Sequence, residues 1–235
     1  MEVNAGNKVP AHLAIILDGN GRWAQQRHLP RLLGHRAGLR RLESTIRLAK
    51  QRGIRYLSVY AFSTENWNRP ALEVEGLMRL FRHYIDRKVA QLKSEGGRIR
   101  FAGRRDRISP ELQKKMCEAE LATAGEQGID CIICLNYGGR AELIDAIIAL
   151  ADSGHRGEIR ESDLRRFLYL PDVPDPDLIV RTSGEIRLSN YWMWESAYSE
   201  FYFTDVHWPD FDEKALDSAL EDFAKRERRY GGLKS

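Results

Sequence analysis

One segment of the chain combines residue types that suit phosphate chemistry, and it follows directly on a short apolar run. Asp18 precedes Gly19, Gly21 and Arg22, and the apolar run covers residues 12–17. Glycines allow a tight turn that directs backbone N–H groups at an anion, and a carboxylate can hold a divalent cation against phosphate oxygens. The segment therefore predicts a phosphate-binding loop with a metal-binding acid. A plain tight connection between a strand and a helix is the alternative interpretation.

Three further segments that are rich in hydroxyls, glycines and arginines follow other strand-like runs. They cover residues 62–70, 136–140 and 181–190. The planar guanidinium of arginine binds phosphate oxygens in pairs. Because ligands gather at the carboxyl ends of parallel strands, we expect these segments to converge with the Asp18 loop on one cleft. Together they predict two phosphate-bearing substrates. Taken alone, the segment 62–70 also fits an ordinary capped loop.

Some charged residues allow both a functional and a structural interpretation. His35 precedes a predicted helix, where its imidazole either donates to an anion or lies on the helix surface. Glu200 lies in an aromatic run, where an isolated charge is costly to bury, so this acid needs a partner or a function. The acidic, proline-rich segment 171–177 favours a stiff connector over a metal site, because metal ligands must converge.

Strand-like runs that alternate with helical patterns must position these residues. The predicted strands are His12–Leu17, Arg55–Ala61, Arg98–Gly103, Ile129–Asn136, Leu178–Ser183 and Glu200–Asp205. Apolar spacing and capping signals predict helices over Gly38–Gln51, Leu72–Leu92, Ser109–Gln127, Ala141–Ala151, Glu161–Leu168 and Asp212–Arg229. The alternation predicts an α/β fold with a mostly parallel central sheet of about six strands flanked by helices. We expect residues 1–10 to be a flexible N-terminus and residues 11–235 to form a single domain.

Composition argues against several classes of protein. The 235 residues include 37 basic and 34 acidic side chains, so the net charge of +3 does not indicate nucleic-acid binding. No signal peptide is evident and no apolar run approaches the roughly 18 residues of a membrane span, so we expect a cytoplasmic protein. The three cysteines, Cys117, Cys131 and Cys134, predict reduced thiols and no disulfide framework. Cys131 and Cys134 lie three apart in an apolar run, where core packing is favoured over a metal or redox site.

These motifs, in this order and spacing, resemble the cis-prenyltransferase family, in particular bacterial undecaprenyl diphosphate synthases. The likeness covers about residues 12–232 and rests on residues 18–23, 34–38, 60–70, 136–140, 175–190, 197–200 and 208–211. It implies magnesium-dependent condensation of isopentenyl diphosphate with an allylic diphosphate, typically farnesyl diphosphate, with cis double bonds formed in repeated additions. The implied product is a long polyprenyl diphosphate such as undecaprenyl diphosphate, a lipid carrier precursor for cell-wall synthesis. A shorter product or another starter is the alternative.

The resemblance also implies roles for individual residues. Asp18 and Asn66 would be catalytic, and Asp18 and Glu200 would hold the Mg²⁺. Isopentenyl diphosphate would be bound by Arg181, Arg187 and Ser189. The residues implied for the allylic substrate are Gly19, Asn20, Gly21, Arg22, Trp23, Arg31, His35, Ser63, Thr64, Glu65, Trp67 and Arg69.

The growing lipid and the assembly state follow from the same resemblance. A hydrophobic tunnel would be lined by Ala61, Leu77, Phe81, Ile85 and Val89, although ordinary core packing explains the four helical residues equally well. The family implies a homodimer that contacts the membrane peripherally when the product leaves.

The sequence departs from the family pattern at two places, and some of its features also fit other functions. Ile186 stands where some relatives have histidine, and residues 191–194 are aromatic where we expect a leucine-rich stretch. Residues 19–24 mimic a dinucleotide-binding fingerprint, but the acid about 20 residues on, Glu43, lies inside a predicted helix, which argues against an oxidoreductase. A non-catalytic partner subunit would be expected to lack Asp18, and an RNA-binding protein would need a recognition signature.

Overall fold

The computed structural model describes residues 9–227, and six strands lie within them. They are β1 (His12–Ile16), β2 (Tyr56–Ser63), β3 (Gly97–Ala102), β4 (Ile129–Tyr137), β5 (Leu178–Arg181) and β6 (Glu200–Phe203). They form one sheet in the order β3-β4-β2-β1-β5-β6. The pairs β1–β5, β5–β6 and β3–β4 run parallel. The predicted six-stranded, mostly parallel sheet is confirmed.

Seven α-helices lie in the same part of the chain. They are α1 (Asn20–Gln26), α2 (Arg31–Gln51), α3 (Ala71–Ser94), α4 (Pro110–Thr123), α5 (Gly139–Asp152), α6 (Glu161–Arg165) and α7 (Glu213–Ala224). Two short 3₁₀ helices cover Thr64–Asn68 and Trp208–Asp210. The predicted N-cap of α4 is confirmed, since the Ser109 hydroxyl accepts from the N–H of Leu112. The predicted end of the last helix, Arg229, lies outside the described residues, as do residues 1–8 of the predicted flexible N-terminus.

Burial explains why the central strands read as continuous apolar runs. Every residue of β1 and of β4 is buried, as expected for parallel strands covered on both faces. Cys131 and Cys134 are 2% and 0% exposed, so their predicted core packing is confirmed. Among the described residues, no helix is both long and apolar enough to cross a bilayer.

Chain contacts divide the molecule into two compact units. Unit 1 comprises the described part of Met1–Leu57, Asp175–Ile186 and the described part of Glu195–Ser235. Unit 2 comprises Ser58–Pro174 and Arg187–Trp194. That residues 11–235 act as a single catalytic domain stays a prediction.

The helical hairpin of α1 and α2 is the main departure from the predicted elements, because sequence reasoning missed α1 and began α2 at Gly38. Glycines lower helix propensity, and two of them lie in this stretch of α2. Their purpose is close packing. A Cβ on Gly34 would lie 2.0 Å from the backbone oxygen of Asn20, and one on Gly38 would lie 2.2 Å from the Asn20 side-chain oxygen. The motif Gly34-His35-x-x-Gly38 therefore seats α1 against α2.

We expect Gly34→Ala to destabilise the fold by about 1–3 kcal/mol, the usual cost of adding a methyl group to a packed contact. The clash is with backbone, which cannot rotate away, and it outweighs the gain in helix propensity of up to about 1 kcal/mol. Chemical denaturation of the two proteins measures the difference. Gly125→Ala is the matched control, because a Cβ there meets nothing within 4 Å. Equal stability of the Gly34 variant and the wild type would contradict this account of α1 packing.

Candidate functional site

In unit 1, the carboxyl end of β1 presents Asp18 in the middle of a charged cluster. Its Oδ2 accepts from Nη2 of Arg181 at 2.9 Å, and its Oδ1 accepts from the N–H of Gly19 at 2.7 Å. Nη2 of Arg22 lies 3.2 Å from Oδ1. Burial raises the pKa of Asp18, but the hydrogen bond and charge of Arg181, with Arg22 and the Gly19 N–H, lower it below its ordinary value. The carboxylate is therefore ionised at neutral pH.

The segment that follows β5 adds further hydrogen bonds to this cluster. The Thr182 hydroxyl donates to the carbonyl oxygen of Asp18 at 2.7 Å. Nη1 of Arg22 donates to the carbonyl oxygen of Ser183 at 3.1 Å and to Oε1 of Glu185 at 3.0 Å. The predicted motifs at residues 18–23 and 181–190 thus meet through Arg181 and Arg22.

Gly19 needs to be glycine for two reasons. Its φ of 97° lies in the left-handed region, which residues with a Cβ rarely adopt. A Cβ would also lie 2.5 Å from the Ser183 hydroxyl and 2.8 Å from Nδ1 of His207. These two side chains are themselves 2.6 Å apart. Sequence reasoning missed His207, and no motif in the sequence marks it.

The other residues predicted for the allylic substrate in unit 1 lie on α1 and α2. The Arg31 guanidinium lies over the start of α1, since a Cβ on Gly21 would be 2.8 Å from its Cζ. His35 lies one turn further along α2 and is half-buried. Nε1 of Trp23 donates to Asp210 at 2.7 Å, and the Arg27 guanidinium stacks 4.3 Å above the ring. Arg22 and Arg31 thus flank the glycine turn.

Glu200 does not join Asp18 within the described chain. It begins β6 in register with Leu178, whereas Asp18 lies two residues past Ile16, which pairs with Arg181. The three residues from Leu178 to Arg181 alone separate the two levels by about 10 Å at about 3.3 Å per residue, so the acids lie at opposite ends of these strands. Oε2 of Glu200 accepts instead from Nη1 of Arg226 at 2.8 Å. Arg226 is thus the partner that was expected for this acid in its aromatic setting. The predicted role of Glu200 in holding Mg²⁺ stays a prediction.

In unit 2, the loop after β2 is ordered by its own side chains. The Asn66 side-chain oxygen accepts from the N–H of Ser63 at 3.1 Å, as in a capping box at the start of the 3₁₀ helix. Nε1 of Trp67 donates to Oδ1 of Asn136 at 2.7 Å. Nη1 of Arg69 donates to Glu73 at 3.2 Å. Asn66 therefore has a structural role in addition to the predicted catalytic one.

Loops after β4 and β5 meet the β2 loop in unit 2. Nδ2 of Asn190 donates to Oε1 of Glu65 at 2.9 Å, and a Cβ on Gly138 would lie 2.6 Å from Oγ1 of Thr64. Burial raises the pKa of Glu65, but hydrogen bonds, the one from Asn190 foremost, lower it below its usual value. Arg187 and Ser189 are exposed on the same segment as Asn190. Sequence reasoning quoted Asn190 within a motif and assigned it no function.

Aromatic residues 191 and 192 belong to the core of unit 2. Tyr191 is 0% and Trp192 is 2% exposed, and both donate to the Ser58 hydroxyl. The Tyr191 ring stacks on Tyr60 with centroids 4.5 Å apart. The departure from a leucine-rich stretch is thus accommodated by core packing.

The residues predicted to line the tunnel show two patterns of exposure. Ala61 is the partly exposed exception in the buried run Leu57–Ser63 of β2. On α3, Leu77 and Ile85 are buried, and Phe81 and Val89 are half-buried. The tunnel itself stays a prediction, as does the convergence of all the predicted loops on one cleft.

Sequence comparison relates this arrangement to known proteins. The model of the undecaprenyl diphosphate synthase family of prenyltransferases matches residues 16–231. An isoprenyl transferase of Thermotoga maritima is 49% identical over 229 residues, which are 96% of this chain and 98% of the relative. A ditrans,polycis-undecaprenyl-diphosphate synthase of Legionella pneumophila, named as specific for (2E,6E)-farnesyl diphosphate, is 44% identical over 232 residues, covering 97% of this chain and 98% of that relative.

Structural comparison agrees with the sequence match. The crystal structure of lavandulyl diphosphate synthase from Lavandula x intermedia, in complex with dimethylallyl diphosphate, is similar with a TM-score of 0.90 and 33% identity. The similarity covers 95% of this chain and 98% of that one. The dinucleotide-binding alternative is thereby excluded. With the family match spanning the Asp18 loop, the glycine-packed hairpin and the loops after β2, β4 and β5, the chain belongs to the undecaprenyl diphosphate synthase family and is a cis-prenyltransferase.

Proposed function

We propose that this enzyme condenses isopentenyl diphosphate with an allylic diphosphate, farnesyl diphosphate in particular, in repeated additions that form cis double bonds. The product would be a long polyprenyl diphosphate such as undecaprenyl diphosphate, a lipid carrier precursor for cell-wall synthesis. The observation that carries the proposal is the cluster in which Arg22 and Arg181 flank the ionised Asp18 beside the Gly19 turn. This cluster combines two phosphate-binding cations with one metal-binding acid.

In this reaction negative charge builds up on the departing diphosphate, which such a cluster can stabilise. Cleavage of the allylic C–O bond leaves the bonding electrons on diphosphate, while the allylic carbon bonds to the terminal alkene carbon of isopentenyl diphosphate. Loss of a proton then forms the new double bond. Guanidinium groups and backbone N–H groups stabilise the departing diphosphate more than the intact ester, so they lower the barrier.

A magnesium ion fits the residues present. Among the described residues, no group of three or more His, Cys, Asp or Glu side chains could hold an ion. Mg²⁺ is usually bound through one or two carboxylates together with substrate phosphates and water. Asp18, whose side chain is 28% exposed and ionised, is suited to that arrangement. When bound, the ion would neutralise charge on the diphosphate.

The two substrates are assigned to different residues. We assign the allylic diphosphate to the Gly19–Arg22 loop with Arg31, His35 and Arg69, and isopentenyl diphosphate to Arg181, Arg187 and Ser189. Exposure supports the second group in part, because Arg187 and Ser189 are exposed, whereas Arg181 is 4% exposed and pairs with Asp18. Arg181 therefore acts through Asp18 as well as on any diphosphate.

A diphosphate-release assay tests the proposal. Purified protein with Mg²⁺, farnesyl diphosphate and isopentenyl diphosphate should release one diphosphate for each isopentenyl unit consumed, and mass spectrometry should detect polyprenyl diphosphates. Omission of either substrate is the control. Release that depends on only one substrate, or the absence of lipid products, would contradict the proposed reaction.

A shorter product or a different starter is the second candidate. It is favoured by the likeness to lavandulyl diphosphate synthase, a protein whose crystal structure contains dimethylallyl diphosphate. Parallel assays with dimethylallyl, geranyl and farnesyl diphosphates distinguish the candidates. Preference for a short starter with products of one or two additions would support this second function.

We expect Ala61→Leu to shorten the lipid product while the first condensations continue. The added volume lies at the partly exposed position of β2 where we propose that the chain enters its tunnel, and packed channels do not readily accept extra atoms. Chromatography and mass spectrometry measure the product distribution. Ala122→Leu, at an exposed position of α4, is the control. An unchanged distribution in a folded, active variant would mean that the lipid runs elsewhere.

We further propose that the enzyme is a cytoplasmic homodimer that contacts the membrane peripherally. The proposed product is an apolar chain that must pass into a bilayer, whereas both substrates are handled by charged residues. Gel filtration with light scattering tests the dimer, and vesicle sedimentation with and without product tests the contact.

A further inference from the structure

The segment Ser189–Trp192 has a backbone that its neighbours must hold in place. The φ angles of Ser189, Asn190 and Trp192 are 51°, 68° and 42°. Residues with a Cβ rarely adopt such angles, and they persist only where the surrounding structure overdetermines them. Because Ser189 carries the proposed contact to isopentenyl diphosphate, whatever holds this segment also sets the position of that contact.

Asn190 makes three of these restraining bonds. Its Nδ2 donates to Oε1 of Glu65 at 2.9 Å, and its Oδ1 accepts from the N–H of Arg140 at 2.8 Å. Its backbone carbonyl accepts from the N–H of Gly139 at 2.8 Å. One side chain thus connects the β2 loop to the first turn of α5, which has no side-chain N-cap of its own.

The chemistry of this position requires an amide. The two side-chain bonds need a donor toward a carboxylate and an acceptor toward a backbone N–H, and asparagine supplies both while tolerating a positive φ. The site is also tight, because a Cβ on Gly138 would lie 2.7 Å from Nδ2 of Asn190. The adjacent glycine therefore leaves room for the amide.

A second set of contacts holds the same segment against the core of unit 2. The Tyr60 hydroxyl lies 3.3 Å from the carbonyl oxygen of Ser189 and 3.2 Å from that of Tyr137. Tyr191 and Trp192 both donate to Ser58. The core thus fixes the base of the segment, and the bonds of Asn190 fix its outer side against the β2 loop.

We propose that Asn190 is a positioning residue that sets the Ser189 contact for isopentenyl diphosphate through its hydrogen bond to Glu65. The inference rests on the proposed function and deepens its account of the isopentenyl diphosphate site. Asn190 itself needs to touch neither substrate. Its effect arises because the geometry of Ser189 follows the tether between Asn190 and the β2 loop.

Asn190→Asp removes the tether while it preserves the rest. Aspartate also tolerates a positive φ and still accepts from the N–H of Arg140, but it places a carboxylate against Glu65. We expect KM for isopentenyl diphosphate to rise roughly 10-fold, the scale of one lost hydrogen bond with like-charge repulsion. KM for the allylic substrate, whose implied contacts include Glu65, should rise several-fold less. If Asn190 only stabilised the fold, the variant would raise both KM values to a similar extent and lower the melting temperature.

The double variant Asn190→Asp with Glu65→Gln provides the decisive comparison. The amide introduced at position 65 can donate to the carboxylate introduced at position 190, and in the single Glu65→Gln variant the amide oxygen can still accept from Asn190. In the Glu65→Gln background we therefore expect Asn190→Asp to change KM for isopentenyl diphosphate less than about 2-fold. The same 10-fold rise in both backgrounds, or no rise in either, would overturn the proposal. A wild-type enzyme that does not consume isopentenyl diphosphate would instead overturn the proposed function.

Discussion

Asp18→Ala is expected to reduce turnover at least ~10²-fold, the scale on which a positioned transition-state stabiliser acts. The carboxylate is ionised and partly exposed, and it is the acid that we assign to the metal. Steady-state turnover in saturating Mg²⁺ with both substrates measures the effect. Turnover close to that of the wild type would rule out the metal assignment.

Stability must be measured beside turnover, because Asp18 has a second partner. Arg181 is 4% exposed and donates to Oδ2, so alanine leaves a buried guanidinium without this carboxylate. Asp18→Asn is the matched control, since its amide oxygen can still accept from Arg181 while the negative charge is gone. We expect the asparagine variant to lose a similar amount of turnover and less stability. A large loss of turnover confined to the alanine variant would point to misfolding.

Arg187→Ala is expected to weaken isopentenyl diphosphate by roughly 2 kcal/mol, or about 30-fold, the scale of one lost charge-assisted contact. KM for the allylic substrate should change little. Arg31→Ala should show the reverse pattern, because this guanidinium lies beside the first turn of α1. Arg156→Ala, in an exposed loop, is the control. If both variants lose affinity for the same substrate, the division into two diphosphate sites is wrong.

Arg181→Ala should differ from these two variants. Arg187 is exposed, but Arg181 is buried and pairs with Asp18, so its removal disturbs both the isopentenyl site and the metal acid. We therefore expect a higher KM for isopentenyl diphosphate together with lower turnover. A change in KM alone would show that the ion pair with Asp18 has little influence on catalysis.

Much of the fold was predictable because its signals are local. The strands β1 and β4 are buried on both faces, and such strands are mostly apolar at every position. Their apolar runs were therefore visible in the sequence. The N-cap of α4 was readable from Ser109 and Pro110 for the same reason. The first turns of α2 were not predictable, because Gly34 and Gly38, which allow α1 to pack closely on α2, argue locally against a helix.

The sequence by itself determined the fold class, the family and the types of residue available for diphosphate and metal, because each depends on motifs that are contiguous in the chain. Only the tertiary structure decided how those residues combine. Arg181 lies 163 residues from Asp18 yet forms its ion pair, and Asn190 lies 125 residues from Glu65 yet donates to it. Strand register separates Glu200 from Asp18, although both are acids next to strands. Such pairings depend on register, handedness and side-chain direction, which short-range patterns do not encode.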